Sequence, residues 1–318
     1  MRFELTILGS TSAMPTVNKH HTSQLLNIRE NYILLDCGEG TQSQLRKAKF
    51  KIQRIKYIFI SHLHGDHYFG LIGLLYSMHL LGRQNELTIY GPKGLKDILH
   101  VQFDYAGSYF SYNINIVELT NKIDEEIILE DNAFKVKKIN MNHKIPCFGF
   151  VFYETTPLKS IIKEKIEELE ISLEHLALIK QGNDYKNKNG EIIKNDELTE
   201  QKYLSRSFAF CSDTLFDEKI AEKIKDVDLL YFESTFLNDM KSRAEETYHT
   251  TAKEAGIIAS LSNVKHLIIG HFSVRYNDLN PLYLEAKAEF ENTNLALEGN
   301  VFNLGNKIDK ELIIENIF

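Results

Sequence analysis

Short apolar runs, each closing on a cluster of polar residues, organise this chain. "FELTILG" (3–9) alternates apolar and polar positions as a strand does, and "NYILLDCG" (31–38) reads as a later strand. Between them, "STSAMPTVNKHHTSQ" is a polar loop with its own proline. "GTQSQLRKA" (40–48) has helical composition. "KYIFISH" (56–62) is β-branched and aromatic and stops at a group of histidines, as a buried strand would. "YFGLIGLLYSMHLLG" (68–82) repeats apolar residues at helical spacing and ends on a glycine. "ELTIYGP" (86–92) predicts a strand with a turn, and "KGLKDILHVQF" another helix. Farther on, "SFAFCSDT" (207–214), "DLLYFEST" (228–235) and "HLIIGHFS" (266–273) share one plan, an apolar strand with polar residues at its C-terminal end. In open α/β sheets that end is where sites assemble. The alternation predicts an α/β protein, or α+β with layered sheets.

Residues 157–202 interrupt this rhythm. The stretch holds 8 lysines and 10 acidic residues and no obvious core strand. "SIIKEKIEELEISLEHLALIK" predicts one helix or two and "GNDYKNKNGE" a turn region, so the segment reads as an inserted arm. If it docks a nucleic acid, its lysines must share one face, with Tyr185 as a possible stacking group.

The chain has 318 residues, enough for one large domain, with 43% hydrophobic and 25% charged residues. No apolar run reaches the length of a membrane span, and the N-terminal stretch is too polar for a signal peptide. Cys37, Cys147 and Cys211 are too few and too scattered for a disulfide framework, which points to a reducing, cytoplasmic setting. A net charge of −7 argues against a protein coated in basic surface, so any nucleic-acid reading rests on local charge. The densest positive stretch is "RKAKFKIQRIK" (46–56), with Arg46, Lys47 and Lys49 at its start; a solvated face is its plainer reading.

"SHLHGDH" (61–67) places His62, His64, Asp66 and His67 within six positions. On an extended segment His62 and His64 point the same way, and Gly65 lets the chain turn so that Asp66 and His67 face a second centre. Imidazole and carboxylate suit zinc and similar divalent ions. The cluster cannot complete two coordination spheres alone. His143 in "MNHKIP", Asp213 in "CSDT" and His271 in "IGHFS" are the candidates to finish them. Taken singly, His143 and His271 read more readily as buried histidines, and Asp213 reads equally as the cap of a helix begun by "TLFDEKIAEKI". Their order after the first cluster is what raises them. His79, His100, His175 and His266 belong to no motif, and Gly38, Gly40 and the "GLIG" glycines suggest close backbone packing.

At this point the sequence resembles a known group. "SHLHGDH" matches the H-x-H-x-D-H signature of the metallo-β-lactamase fold. "HLHGDHYFGLIGLL", "YGPKGL", "FESTF", "YHTTAKEAG" and "GHFSVRY" resemble segments of the tRNA 3′-processing endoribonucleases called ribonuclease Z, and the likeness runs nearly end to end. The resemblance implies an αββα sandwich, two stacked mixed β-sheets flanked by helices, forming one domain over 1–318 with the arm 157–202 as a candidate tRNA-docking site. It implies two Zn²⁺ per chain, with Mn²⁺ or another divalent ion as alternatives. It assigns His62, His64 and His143 to one ion, Asp66, His67 and His271 to the other, and Asp213 to both. It also implies a homodimer acting on precursor tRNA, with no membrane role.

Two ions that share a water lower its pKa, and Asp66, by the same comparison, takes up its proton. The leaving ribose oxygen then needs a proton. His249 in "YHTT" is the best donor, held by Glu233 in "FEST"; a buried salt bridge is the plainer reading of that pair. Two departures from the family bear on docking. Its basic, asparagine-ended loop after the first proline is here "PTVNKHHTSQ", which leaves Lys19, His20 and His21 as the cations. The arm also lacks the family's glycine–proline tip. Lys19, Arg46, Lys47, Lys49 and Arg275 are the candidate RNA contacts. The rival functions are another metallohydrolase of this fold acting on small substrates and a non-catalytic RNA-binding scaffold; seven intact ligand positions argue against the scaffold.

Overall fold

The computed structural model describes residues 2–107, 109–156, 158–307 and 310–318. They form two compact units: 1–154 with 206–304 and 312–318, and 155–205 with 305–311.

The larger unit contains two β-sheets. The first has the order Leu312–Asn316, Asn300–Leu304, Phe3–Gly9, Ser23–Ile28, Asn31–Leu35, Ile55–Phe59, Leu87–Pro92, Ile114–Leu119. It is antiparallel as far as Asn31–Leu35 and parallel beyond it. The second runs Thr293–Leu295, His266–Gly270, Leu229–Glu233, Ser207–Cys211, Cys147–Glu154, Phe134–Met141, Glu126–Glu130, parallel in its first half and antiparallel in its second. The strands are apolar on both faces because both faces are covered. In 55–60, Tyr57 and Phe59 enter the core between the sheets with Phe3, Leu5, Phe150 and Phe210, whereas Ile55, Ile58 and Ile60 pack outward. Their outward partners include Leu45, Leu74 and Leu99 of the helices Thr41–Lys47, Leu71–Leu80 and Leu95–Tyr105. On the second sheet, Ala255 and Ile258 of Ala252–Leu261 and Leu282 and Ala286 of Asn280–Glu289 play the same part. The result is helix, sheet, sheet, helix, as expected from the sequence.

Three features differ from the sequence reading. The polar loop ends earlier than expected, because Ser23–Ile28 is a strand whose Ser23, Gln24 and Asn27 are buried. The strand Phe134–Met141 escapes a hydrophobicity reading because it carries Lys135, Lys137 and Lys138; Lys138 is buried, its ammonium donating to the carbonyls of Thr120 and Ile123 at 2.6 Å.

The third concerns the smaller unit, which is more ordered than its charge suggests. Pro157, the first residue of the expected arm, lies outside the described residues. Helices Lys163–Glu168 and Leu173–Lys180 accompany two short antiparallel pairings, Ser160–Ile161 with Thr199–Glu200 and Tyr185–Lys186 with Ile192–Ile193. Ile161, Ile171, Ile179, Tyr185 and Leu198 form a core of its own. Tyr185 is therefore not a stacking group: it is 5% exposed, with its ring against His175. The three cysteines are free and buried, and no helix among the described residues is long and apolar enough to cross a membrane.

Candidate metal centre and cleft

Strand ends deliver the polar residues. Asp36 follows Asn31–Leu35, His62 follows Ile55–Phe59, Asp213 follows Ser207–Cys211, Glu233 ends Leu229–Glu233 and His271 follows His266–Gly270. Asp66 and His67 lie on the short helix Gly65–Tyr68, and His143 in the turn after Phe134–Met141. Asp36 (φ 54°), Tyr248 (φ 61°) and His271 (φ 61°) are among the residues here that hold left-handed backbone without being glycine. Each such residue costs roughly 1–3 kcal/mol, and all three present a group to the site.

All seven residues expected as ligands come together. His62, His64, His143 and Asp213 form one group, Asp66, His67 and His271 another. His62 Nε2 lies 3.0 Å from His64 Nδ1, which lies 3.2 Å from His143 Nε2. His67 Nε2 lies 3.2 Å from His271 Nε2 and 3.6 Å from Asp66 Oδ2. Asp213 joins the groups: its Oδ2 is 3.4 Å from His62 Nε2, 3.5 Å from His67 Nε2 and 4.0 Å from His143 Nε2, while its Oδ1 is 3.4 Å from His271 Nε2. Donors about 2.0–2.1 Å from a tetrahedral zinc stand about 3.3 Å from one another, so these spacings fit a metal.

The hydrogen bonds behind the ligands fix which nitrogen is bare. His67 Nδ1 donates to Asp36 Oδ2 at 2.7 Å. Ser61 Oγ donates to the same carboxylate oxygen at 2.9 Å and accepts from His62 Nδ1 at 3.0 Å. Across the site the arrangement repeats with Glu233. His249 Nδ1 donates to Glu233 Oε1 at 3.0 Å, and Thr235 Oγ1 donates to Oε2 at 2.7 Å and accepts from His271 Nδ1 at 2.9 Å. His143 Nδ1 donates to the Tyr248 carbonyl at 2.9 Å. The inner nitrogens of His62, His67, His143 and His271 thereby turn toward one another and two carboxylates, an arrangement that calls for a cation.

Charge follows the same pattern. Burial works against ionisation of Asp213, yet His271, His67 and His62 hold its carboxyl well below the usual carboxylate range. Burial is likewise overridden at Asp66, which His67 and His271 hold low. His67 is raised well above an ordinary imidazole: burial opposes its charge, but Asp213, Asp66 and Asp36 surround it. Burial lowers His249 too, but Glu233 and then Asp213 outweigh it, and the imidazole is pushed up to about 9.

The cluster opens into a cleft of 530 Å³ lined by Ser12, Pro15, His21, Glu39, Phe69 and His249 beside the metal-site residues. Of the expected RNA contacts, Arg275 is near it. Its guanidinium lies 5.0 Å from the Phe236 ring, whose centroid is 6.2 Å from that of His249. Arg46, Lys47 and Lys49 are exposed at the end of Thr41–Lys47 and do not line the cleft; Lys47 covers the Phe318 ring. Lys19 Nζ donates to the Tyr276 carbonyl at 3.2 Å. Sequence reasoning missed Asp36, Ser61 and Thr235, although the last two sit inside motifs it singled out.

Comparison with known proteins agrees with this geometry. Residues 3–158 match the family model described as anti-Pycsar protein Apyc1. A metallo-β-lactamase-fold protein from Bacillus subtilis superposes with a TM-score of 0.68 at 18% identity, covering 95% of this chain and 100% of that one. The short form of human tRNase Z gives a TM-score of 0.66 at 25% identity, covering 94% and 98%. Fold and site together define a hydrolase of the metallo-β-lactamase fold with a divalent-metal centre. Ribonuclease Z of Bacteroides fragilis is 44% identical over 297 residues, 93% of this chain and 97% of that protein. The chain belongs to the ribonuclease Z family.

Proposed function

We propose that this protein removes 3′ trailers from precursor tRNA as a zinc-dependent endoribonuclease, leaving a tRNA 3′-hydroxyl and a trailer 5′-phosphate. The observation that carries the reading is the Glu233–His249 pair at 3.0 Å beside a donor cluster whose two halves share Asp213. A small phosphodiester would need the same proton on its leaving oxygen; likeness to ribonuclease Z over 93% of the chain is what favours RNA.

His62, His64 and His143 would hold one ion, Asp66, His67 and His271 the other, and Asp213 both. When bound, the pair of ions supplies Lewis acidity that makes water nucleophilic near neutral pH and neutralises charge on the phosphoryl oxygens. Asp66 stays ionised beside His67 and His271 and takes up the proton of the attacking water or orients the hydroxide. His249 donates its proton to the departing ribose 3′-oxygen, and Glu233 keeps the ring charged and oriented until it does. Arg275 reaches RNA phosphate near His249, with Lys19, Arg46, Lys47 and Lys49 as further contacts. The arm docks tRNA, in a cytoplasmic homodimer.

The test combines metal analysis with cut-site mapping on a precursor tRNA, with and without an encoded CCA end. We expect close to two zinc ions per chain and a single cut yielding the stated termini. Asp213→Ala should abolish cleavage while precursor binding stays near wild type, because affinity comes from distant cations. One tight ion with turnover unaffected by His271→Ala, or no specific cut, would overturn the reading.

A further inference from the structure

Phe69 stands at the rim of the metal cleft. Among the described residues that line it, this is the one phenyl ring, and 63% of its surface is exposed. Single exposed apolar side chains are ordinary on a protein surface. This one differs in being held in place beside the metal-site residues. Phe69 closes the short helix Gly65–Tyr68, its amide donating to the Gly65 carbonyl at 3.0 Å. The ring fills the space that a side chain at residue 65 would take: a Cβ there would lie 2.3 Å from the ring carbon Cε2. The next residue is fixed as well. Gly70 donates its amide to the Cys37 carbonyl at 2.9 Å, and a Cβ on it would lie 2.2 Å from the Gly38 carbonyl oxygen. An apolar ring thus borders a polar cleft from backbone anchored on both sides of it.

A positioned, exposed ring suits the face of a nucleobase. Stacking accepts any base, because every base has a π-face and no edge needs to be read. The direction of the reaction decides which base. In an in-line displacement the attacking and leaving oxygens stand on opposite sides of phosphorus. Asp66 serves the attacking water and His249 protonates the leaving 3′-oxygen, so the terminal ribose of the tRNA belongs on the His249 side. Phe69 is on the Asp66 side, three positions along from it at the end of the same helix. Of the two nucleosides that flank the phosphate, the first of the trailer is the one free to extend that way.

We propose that Phe69 stacks on the first base of the 3′ trailer and so holds the scissile phosphate at the metal centre. This rests on the reading of the metal cleft as the site of tRNA 3′ cleavage. The test is a cycle of protein and substrate changes on the zinc-loaded protein. Wild type, Phe69→Ala, Phe69→Leu and Phe69→Trp are each measured on an intact precursor tRNA and on two precursors carrying one abasic nucleotide, either the first of the trailer or the last before the cut. In wild type, removing the first trailer base lowers kcat/KM by about 5–100-fold, the range for one stacked base. Phe69→Ala loses a similar factor on the intact precursor and nothing further when that base is absent. Its penalty for the abasic nucleotide before the cut stays at the wild-type value. Phe69→Trp keeps the dependence on the trailer base. Phe69→Leu, apolar but without a π-face, keeps little of it, and it carries the comparison if the alanine variant loses metal or misfolds. An equal penalty for the missing trailer base in wild type and in Phe69→Ala or Phe69→Leu, no penalty in wild type, or coupling to the base before the cut instead would overturn the assignment. Wild type failing to cut the intact precursor would overturn the functional reading as well, and is seen before any variant is compared.

Discussion

Asp36 and His67 are joined 2.7 Å apart in the interior, both fully buried, on segments that meet only in the folded sheet. The carboxylate accepts a hydrogen bond from His67 Nδ1 directly and reaches His62 through Ser61, so one buried anion orients an imidazole from each half of the cluster. Asp36→Ala removes both bonds without touching a ligand. Chelator competition should show metal affinity lower by about 10–100-fold, the usual effect of losing such a partner. Affinity equal to wild type would mean that packing alone positions the rings.

His67 also makes metal binding a proton exchange. Without metal it holds a proton, because Asp213, Asp66 and Asp36 outweigh its burial. Metal needs the bare nitrogen, so loading must release that proton, and affinity must fall as pH falls. Calorimetry in buffers of different ionisation enthalpy should show net proton release on zinc uptake near neutral pH. Uptake without release would contradict the charge state given to His67.

His249→Ala should lower the chemical step by about 10²–10⁴-fold with metal content unchanged, as expected for a lost general acid. Glu233 raises the His249 pKa, so Glu233→Gln must lower it. The proton is then lost at lower pH, and the alkaline limb of the kcat/KM profile should move to the acid side. A limb that stays in place would assign it to another group, and loss of zinc in His249→Ala would make His249 a ligand.

Excising residues 158–202 removes no ligand and takes away the arm's own core. Zinc content should persist, and use of precursor tRNA should fall far more than hydrolysis of a small activated phosphodiester. The log–log salt dependence of tRNA binding should flatten by somewhat under one unit for each phosphate that a lysine of the arm neutralises. Unchanged tRNA kinetics and salt slope would move docking to the exposed Arg46, Lys47 and Lys49.

Six of the seven clustered residues were legible because they are local in sequence or follow strands that announce themselves, whereas His143 follows the hidden strand Phe134–Met141 and was raised only by its order after the first cluster. His62, His64, Asp66 and His67 are contiguous, and Asp213 and His271 each end an apolar run. Asp36 ends one too, but a single carboxylate after a strand looks like a turn residue, and its partner is 31 positions away. Ser23–Ile28 and Phe134–Met141 were hidden for a different reason. Some of their polar side chains are buried on partners the chain supplies from elsewhere, such as the Asp36 carbonyl on Ser23 and the Thr120 and Ile123 carbonyls on Lys138. Tyr185 misled because composition reports how charged a segment is, not which of its few apolar residues find one another.

The small core of the arm bears on how such a protein can diverge. Ile161, Ile171, Ile179, Tyr185 and Leu198 pack on one another, whereas Lys163, Lys188 and Lys194 are exposed. Exchanging those lysines, or reshaping the turn at 187–190, alters neither these five residues nor any group behind the metal cluster. On the proposed reading of the arm as the docking element, docking preference is heritable separately from chemistry, and relatives sharing this centre are free to differ in which RNAs they hold.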